Sequence, residues 1–145
     1  MALDETVIKN IYKQIERLEN EKRDIDHKLD VLYDSIEFEE QTLSSAATKE
    51  YKGRYFLDKK SGKKVLKIET FKKECSYWCI IGRVFFIDEK QHTCYTNKAE
   101  KTILTMTFQP SIREAVDELE KKYTELSKEE FEKYREKMIQ ILKEN

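Results

Sequence analysis

Between residues 8 and 43 the chain keeps one apolar stripe in steps of three and four: Ile8, Ile11, Ile15, Leu18, Lys22, Ile25, Leu29, Leu32, Ile36, Glu39 and Leu43. Nine of these eleven positions are apolar, and the steps run across five heptads without a slip. Seven residues make nearly two helical turns, so the whole set lies along one side of a helix. Asp4 or Thr6 can cap its start, and the acids Asp4 and Glu5 suit the positive end of the helix dipole. A helix over residues 5–43 is about 58 Å long. A small β module cannot cover a stripe of that length, so another helix must, from this chain or from a second copy. Ile8, Ile11, Ile15, Leu18, Ile25, Leu29, Leu32 and Ile36 are therefore the expected self-association residues. Lys22 and Glu39 interrupt the seam, and polar residues at such positions select register or partner number, or else face solvent.

The rest of the composition agrees with long regular elements. Charged residues make up 39% of the 145, yet 28 basic nearly balance 29 acidic side chains, and sixteen residues are aromatic. Disordered chains combine high net charge with few aromatics. Three glycines and one proline leave little to interrupt a helix or strand. There is no run of eighteen apolar residues and no signal-peptide pattern in MALDETVIKN, so a cytoplasmic protein without a membrane span is expected. Three cysteines, an odd number, fit a reducing compartment.

Residues 43–50 lose both charge and stripe, and read as a helix end or linker. The period then changes. Tyr51–Leu57, Val65–Phe71, Tyr77–Ile87, His92–Thr96 and Lys101–Phe108 read as strands joined by short polar turns, one centred on Ser61-Gly62 and another on 97–100. Gly82, inside the apolar run YWCIIGRVFFI, predicts a bulge or bend. After Pro110, the patterns Ser111-x-x-Glu114 and Ser127-x-x-Glu130 are two capping boxes. The apolar faces behind them (Ile112, Val116, Leu119, Tyr123, Leu126, then Phe131, Tyr134, Met138, Ile141) are offset by one residue, which favours two helices jointed at 126–127 over one. The expected fold is α+β in a single domain over 1–145: an oligomerisation helix at 4–45, an antiparallel sheet of about five strands or small open barrel at 50–109, and a C-terminal helix or helix pair at 111–144.

Charge is distributed unevenly. Residues 1–50 carry seven basic and thirteen acidic side chains, 51–109 carry thirteen and six, and 110–145 carry eight and ten. The β module is thus strongly basic. Lys52, Arg54, Lys59, Lys60, Lys63, Lys64 and Lys67, interleaved with Tyr55 and Trp78, form a candidate surface for an anion or acidic partner. Lysines supply charge and aromatic faces can stack on bases. Two plainer readings compete: lysines protecting an exposed edge hairpin, or lysines meeting the acidic helix of a neighbouring subunit. Lysine outnumbers arginine here, which suits a point-charge surface better than bidentate base readout.

Catalytic signals are weak. Cys75, Cys79, His92 and Cys94 fall on neighbouring expected strands and offer a zinc donor set, but their spacing is not that of a zinc knuckle, and cysteine is a common small core residue. There is no glycine-rich phosphate loop, and His27 and the acid pairs belong to helix faces. No enzyme activity, metal or cofactor is expected.

The helix–β–helix order with long outer helices is similar to prefoldin subunits, which implies coiled-coil pairing beneath a β assembly and a holdase role. Tyr51-Lys52-Gly53-Arg54-Tyr55-Phe56 and Ser127-Lys128-Glu129-Glu130-Phe131 resemble segments of small bacteriophage-encoded proteins with a charged N-terminal helix and a β module. That resemblance implies an inhibitor in the host cytoplasm that acts against host defence by blocking a protein or sequestering a nucleotide signal. The expected protein is a homo-oligomer that binds an anionic small molecule or acidic protein. Nucleic-acid binding and prefoldin-like chaperoning are the alternatives.

Overall fold

The computed structural model describes residues 3–105, 107 and 110–145. The elements run α1 (Thr6–Tyr51), β1 (Tyr55–Asp58), β2 (Lys64–Glu74), β3 (Tyr77–Asp88), β4 (Thr93–Ile103), α2 (Ile112–Lys122), β5 (Tyr123–Leu126) and α3 (Lys128–Glu144). This is the expected α+β order of a long N-terminal helix, a five-stranded antiparallel open sheet and C-terminal helices. The single-domain expectation is refined, because the chain divides into two compact units, Met1–Glu39 and Glu40–Asn145. No helix among the described residues is long and apolar enough to cross a membrane.

The first unit is helix. Asp4 caps it, accepting the Thr6 amide at 2.9 Å and the Thr6 hydroxyl, and these bonds lower the Asp4 pKa. Arg17 and Glu21 bridge one turn at 3.4 Å. All eight seam residues remain exposed.

The second unit is a sheet of order β4-β3-β2-β1-β5 with helices on both faces. Residues 43–50, expected to end the helix or link it onward, are helical to Tyr51. Their small and hydroxyl side chains are what close packing on strand β2 requires. Ser44 donates to the Phe71 carbonyl, and the Thr48 hydroxyl accepts the Phe71 amide at 3.0 Å. Ala47 and Tyr51 are buried with Phe56, Phe71, Trp78, Ala115 and Leu119 in the main core. Tyr51 therefore closes the helix instead of opening a strand. Gly53, at φ 83°, reverses the chain immediately afterwards, a conformation that penalises any side chain.

Two bulges shape the sheet. Between Ile68 and Thr70 strand β2 carries an extra residue, Glu69, and between Gly82 and Val84 strand β4 carries the extra residue opposite Arg83. The bulge expected at Gly82 thus falls on the strands either side of it. Gly82 is required because a Cβ there would lie 2.1 Å from the Lys67 carbonyl oxygen.

The expected strands at 92–96 and 101–108 are one strand, β4, because residues 97–100 bulge instead of turning. Met106 and Phe108, assigned to its end, lie outside the described residues. The fifth strand comes from the joint between the C-terminal helices. Tyr123–Leu126 leaves the helix and pairs with β1 from Tyr55↔Leu126 to Asp58↔Tyr123. Ser127 then forms the full capping box with Glu130, whereas at Ser111 only the serine half forms and Glu114 accepts from Thr107. Helix α3 covers the other face of the sheet: Met138 and Ile141 pack on Ile87, beside Phe85, Cys94 and Tyr134.

Candidate ligand-binding surface

Most of the basic side chains singled out from the sequence already have partners. Arg54 forks onto Glu125 with Nη2–Oε1 at 2.8 Å, a contact that raises the Arg54 pKa and lowers that of Glu125. Lys59 donates to the Glu120 carbonyl at 3.1 Å at the end of α2. Lys63 meets Asp88 at 3.4 Å, and Lys64 meets Glu100 at 3.0 Å. Burial is the largest single influence and disfavours the Lys64 charge, but the hydrogen bond and the charge of Glu100, with smaller contributions from Tyr123 and Tyr95, together outweigh it and the pKa rises. Lys73 pairs with Glu40 at 3.4 Å. Lys52 and Lys60 are exposed at turns. The edge-protection reading does not fit either, since β1 and β2 are interior strands.

Trp78 is removed from the recognition surface. It is 1% exposed in the core, and its indole N–H donates to the Pro110 carbonyl at 3.1 Å. Tyr55 is half-buried and stacks on Phe131 with ring centroids 3.8 Å apart. The aromatic platform expected for base stacking is therefore absent at these two residues.

The candidate zinc donors are kept apart. Cys75 sits at φ 46° in the β2–β3 turn and His92 at φ 52° in the β3–β4 turn, at opposite ends of β3. Cys79 pairs with Ile103 while Cys94 pairs with Ile87. Burial pushes the Cys79 thiol up, away from the thiolate that metals and electrophiles require. His92 instead contacts Glu144 at 2.6 Å. Among the described residues no group of three His, Cys, Asp or Glu could hold a metal ion.

The sheet face that carries α3 holds a different pattern. Register places Leu126, Tyr55, Lys67 and Arg83 in one row across four strands, because directly opposed residues share a face. Lys98 and Ala99, the bulge residues, lie opposite Arg83. Lys67 and Arg83 are both half-buried. Lys67 lies 5.8 Å from the Tyr55 ring, and neither cation has an ion-pair partner among the described residues. Further along the same face, Lys72 and Lys101 both bind Glu74, which also accepts from the Tyr77 hydroxyl at 2.8 Å. The Lys101 and Tyr77 hydrogen bonds take Glu74 down to about 2. On the α3 side, Tyr134 donates to the Lys63 and Phe85 carbonyls at 2.6 and 3.1 Å, and burial pushes its phenol up. A groove of about 760 Å³ runs beside the Leu126–Tyr55–Lys67 row, lined also by Arg54, Lys128 and the carboxylates Glu125, Glu130 and Glu132, and Arg83 is not part of its lining.

The sequence reading included Lys67 and Tyr55 and missed Arg83. Its signal was present: Arg83 is the one charge inside YWCIIGRVFFI. No protein-family model, no curated protein and no solved structure matches the chain. Nothing in these comparisons bears on the prefoldin resemblance, which rests on element order, or on the phage-protein resemblance, which rests on two short segments.

Proposed function

We propose that this is a non-enzymatic, homo-oligomeric binding protein: α1 joins copies, and the basic β module takes an anionic ligand or acidic partner. The observation that carries the reading is the seam. Ile8, Ile11, Ile15, Leu18, Ile25, Leu29, Leu32 and Ile36 are all 43–60% exposed in the single chain. A contiguous apolar stripe of this extent is a recognition surface, since soluble monomers rarely leave one open. A 3.5-residue repeat is complementary to a helix with the same repeat, and a second copy supplies one. Lys22 and Glu39 are the polar interruptions that would restrict how two copies align.

The recognition half rests on charge. Thirteen basic residues against six acidic between 51 and 109 leave the module cationic after its internal pairs are counted. Sedimentation velocity across a dilution series tests the assembly, and binding of polyanions at two salt concentrations tests the recognition. A single monomeric species throughout the series would remove the first half of the reading, and salt-independent binding the second.

A further inference from the structure

The Lys67–Arg83 pair combines two features that oppose each other. Like charges directly opposite on a sheet are destabilising, and burial raises that cost because less water screens them. The same face shows the ordinary remedy a few residues away, where one carboxylate, Glu74, holds both Lys72 and Lys101. Lys67 and Arg83 have no such carboxylate among the described residues. Lys67, but not Arg83, lines the groove below the first turn of α3 together with the exposed Lys128, and the three carboxylates on that lining, Glu125, Glu130 and Glu132, are engaged by Arg54, the Ser127 amide and Arg135.

We infer that Lys67 and Arg83 form the binding site for a phosphate-type dianion of a small molecule. The inference rests on the anionic-ligand half of the proposed function and narrows it to one place and one chemistry. Two facing cations need two negative charges, and a phosphate monoester carries ≈ −1.5 to −2 on one compact group. The guanidinium offers a planar fork to two oxygens, and the ammonium supplies a point charge to the third. A carboxylate brings only one charge and leaves one of the two cations uncompensated. The ligand is held by its phosphate and not by a stacked base, because Tyr55 already packs on Phe131 and lies under Lys67. Arg83 and Lys67 thus keep a repulsion in the empty protein that the ligand relieves.

The experiment is calorimetric titration of the full chain with inorganic phosphate and pyrophosphate at low salt, beside thermal melts without ligand. Lys67→Gln and Arg83→Gln are compared with Lys90→Gln, an exposed turn lysine, as the charge control. Pyrophosphate binding is expected to weaken about tenfold or more in each of the first two variants, and their ligand-free melting temperatures to rise. Lys90→Gln should change neither. Unchanged pyrophosphate binding in Lys67→Gln and Arg83→Gln would place the site elsewhere and overturn the inference while leaving the broader reading intact. A fall in melting temperature in both variants would make the pair structural and also overturn it. Binding of a single-stranded oligonucleotide but not pyrophosphate, lost in the same variants, would replace the ligand class. No binding of phosphate, pyrophosphate, polyglutamate or oligonucleotide would sink the anionic-ligand reading itself.

Discussion

Replacing Ile25 by asparagine separates an assembly role for α1 from a merely exposed helix. Ile25 sits mid-seam and is 56% exposed in the single chain. Complete burial of such a side chain is worth about 1.5–3 kcal/mol, so covering what remains open contributes roughly 1 kcal/mol or somewhat more per copy. A symmetric pair contains the position twice, and the asparagine amides add a desolvation cost of about 1–3 kcal/mol. The dissociation constant should therefore rise by about 100-fold or more. The folded monomer should hardly notice, because the side chain is already in water and the difference in helix propensity is only a few tenths of a kcal/mol. Sedimentation velocity gives the constant, and a melt of the same samples gives the stability of the remaining fold. Lys22→Leu is the opposite perturbation: it removes a polar interruption from the seam and should tighten association. Wild-type protein that stays monomeric at about 100 μM, or identical constants for wild type and Ile25→Asn, would refute the seam argument.

Other perturbations test the module. Gly82→Ala places a methyl 2.1 Å from the Lys67 carbonyl on the neighbouring strand, so it should destabilise by about 3 kcal/mol or more in denaturant titration. It should also displace Lys67 and disturb the row beside it. Tyr134→Phe removes the hydroxyl bonded to the Lys63 and Phe85 carbonyls, with an expected loss of about 1–2 kcal/mol by the same assay. Glu74 is depressed to about 2 by Lys101 and Tyr77. Its stabilisation is present above its ordinary carboxylate range and fades as pH falls toward 2, because the unfolded state takes up the proton first. Glu74→Gln should flatten the dependence of melting temperature on pH between about 4.5 and 2, and an unchanged profile would show that the carboxylate does not stabilise the fold.

Much of the architecture was legible because its signals are local. The three-and-four stepping of α1, the Ser127–Glu130 capping box, the turn at Ser61-Gly62 and the change of period after Tyr51 all act over a few residues. The α3 face was legible for the same reason, with Phe131, Met138 and Ile141 buried in helical spacing. Residues 43–50 stayed open between helix end and linker because Ser44, Ala47 and Thr48 resemble a linker in composition, and they are the last turns of α1. Their smallness serves contact with β2, which lies more than twenty residues away.

What lay outside the sequence's reach was pairing at long range. Tyr123–Leu126 has the apolar spacing of a helix, yet it becomes a strand because β1 offers it an open edge. Trp78 was expected on the recognition surface beside the lysines, and the layering of helices on the sheet puts it inside. The basic segment from Lys52 to Lys67 was plain as a charge excess, but which of its members are neutralised depends on acids as distant as Glu100 and Glu125. The Lys67–Arg83 opposition exists only through the β2–β3 register and the bulges on either side. Helical periodicity is written into consecutive residues and survives without tertiary contacts. The partner of a charge is set by strand register, which the chain acquires only when the sheet closes.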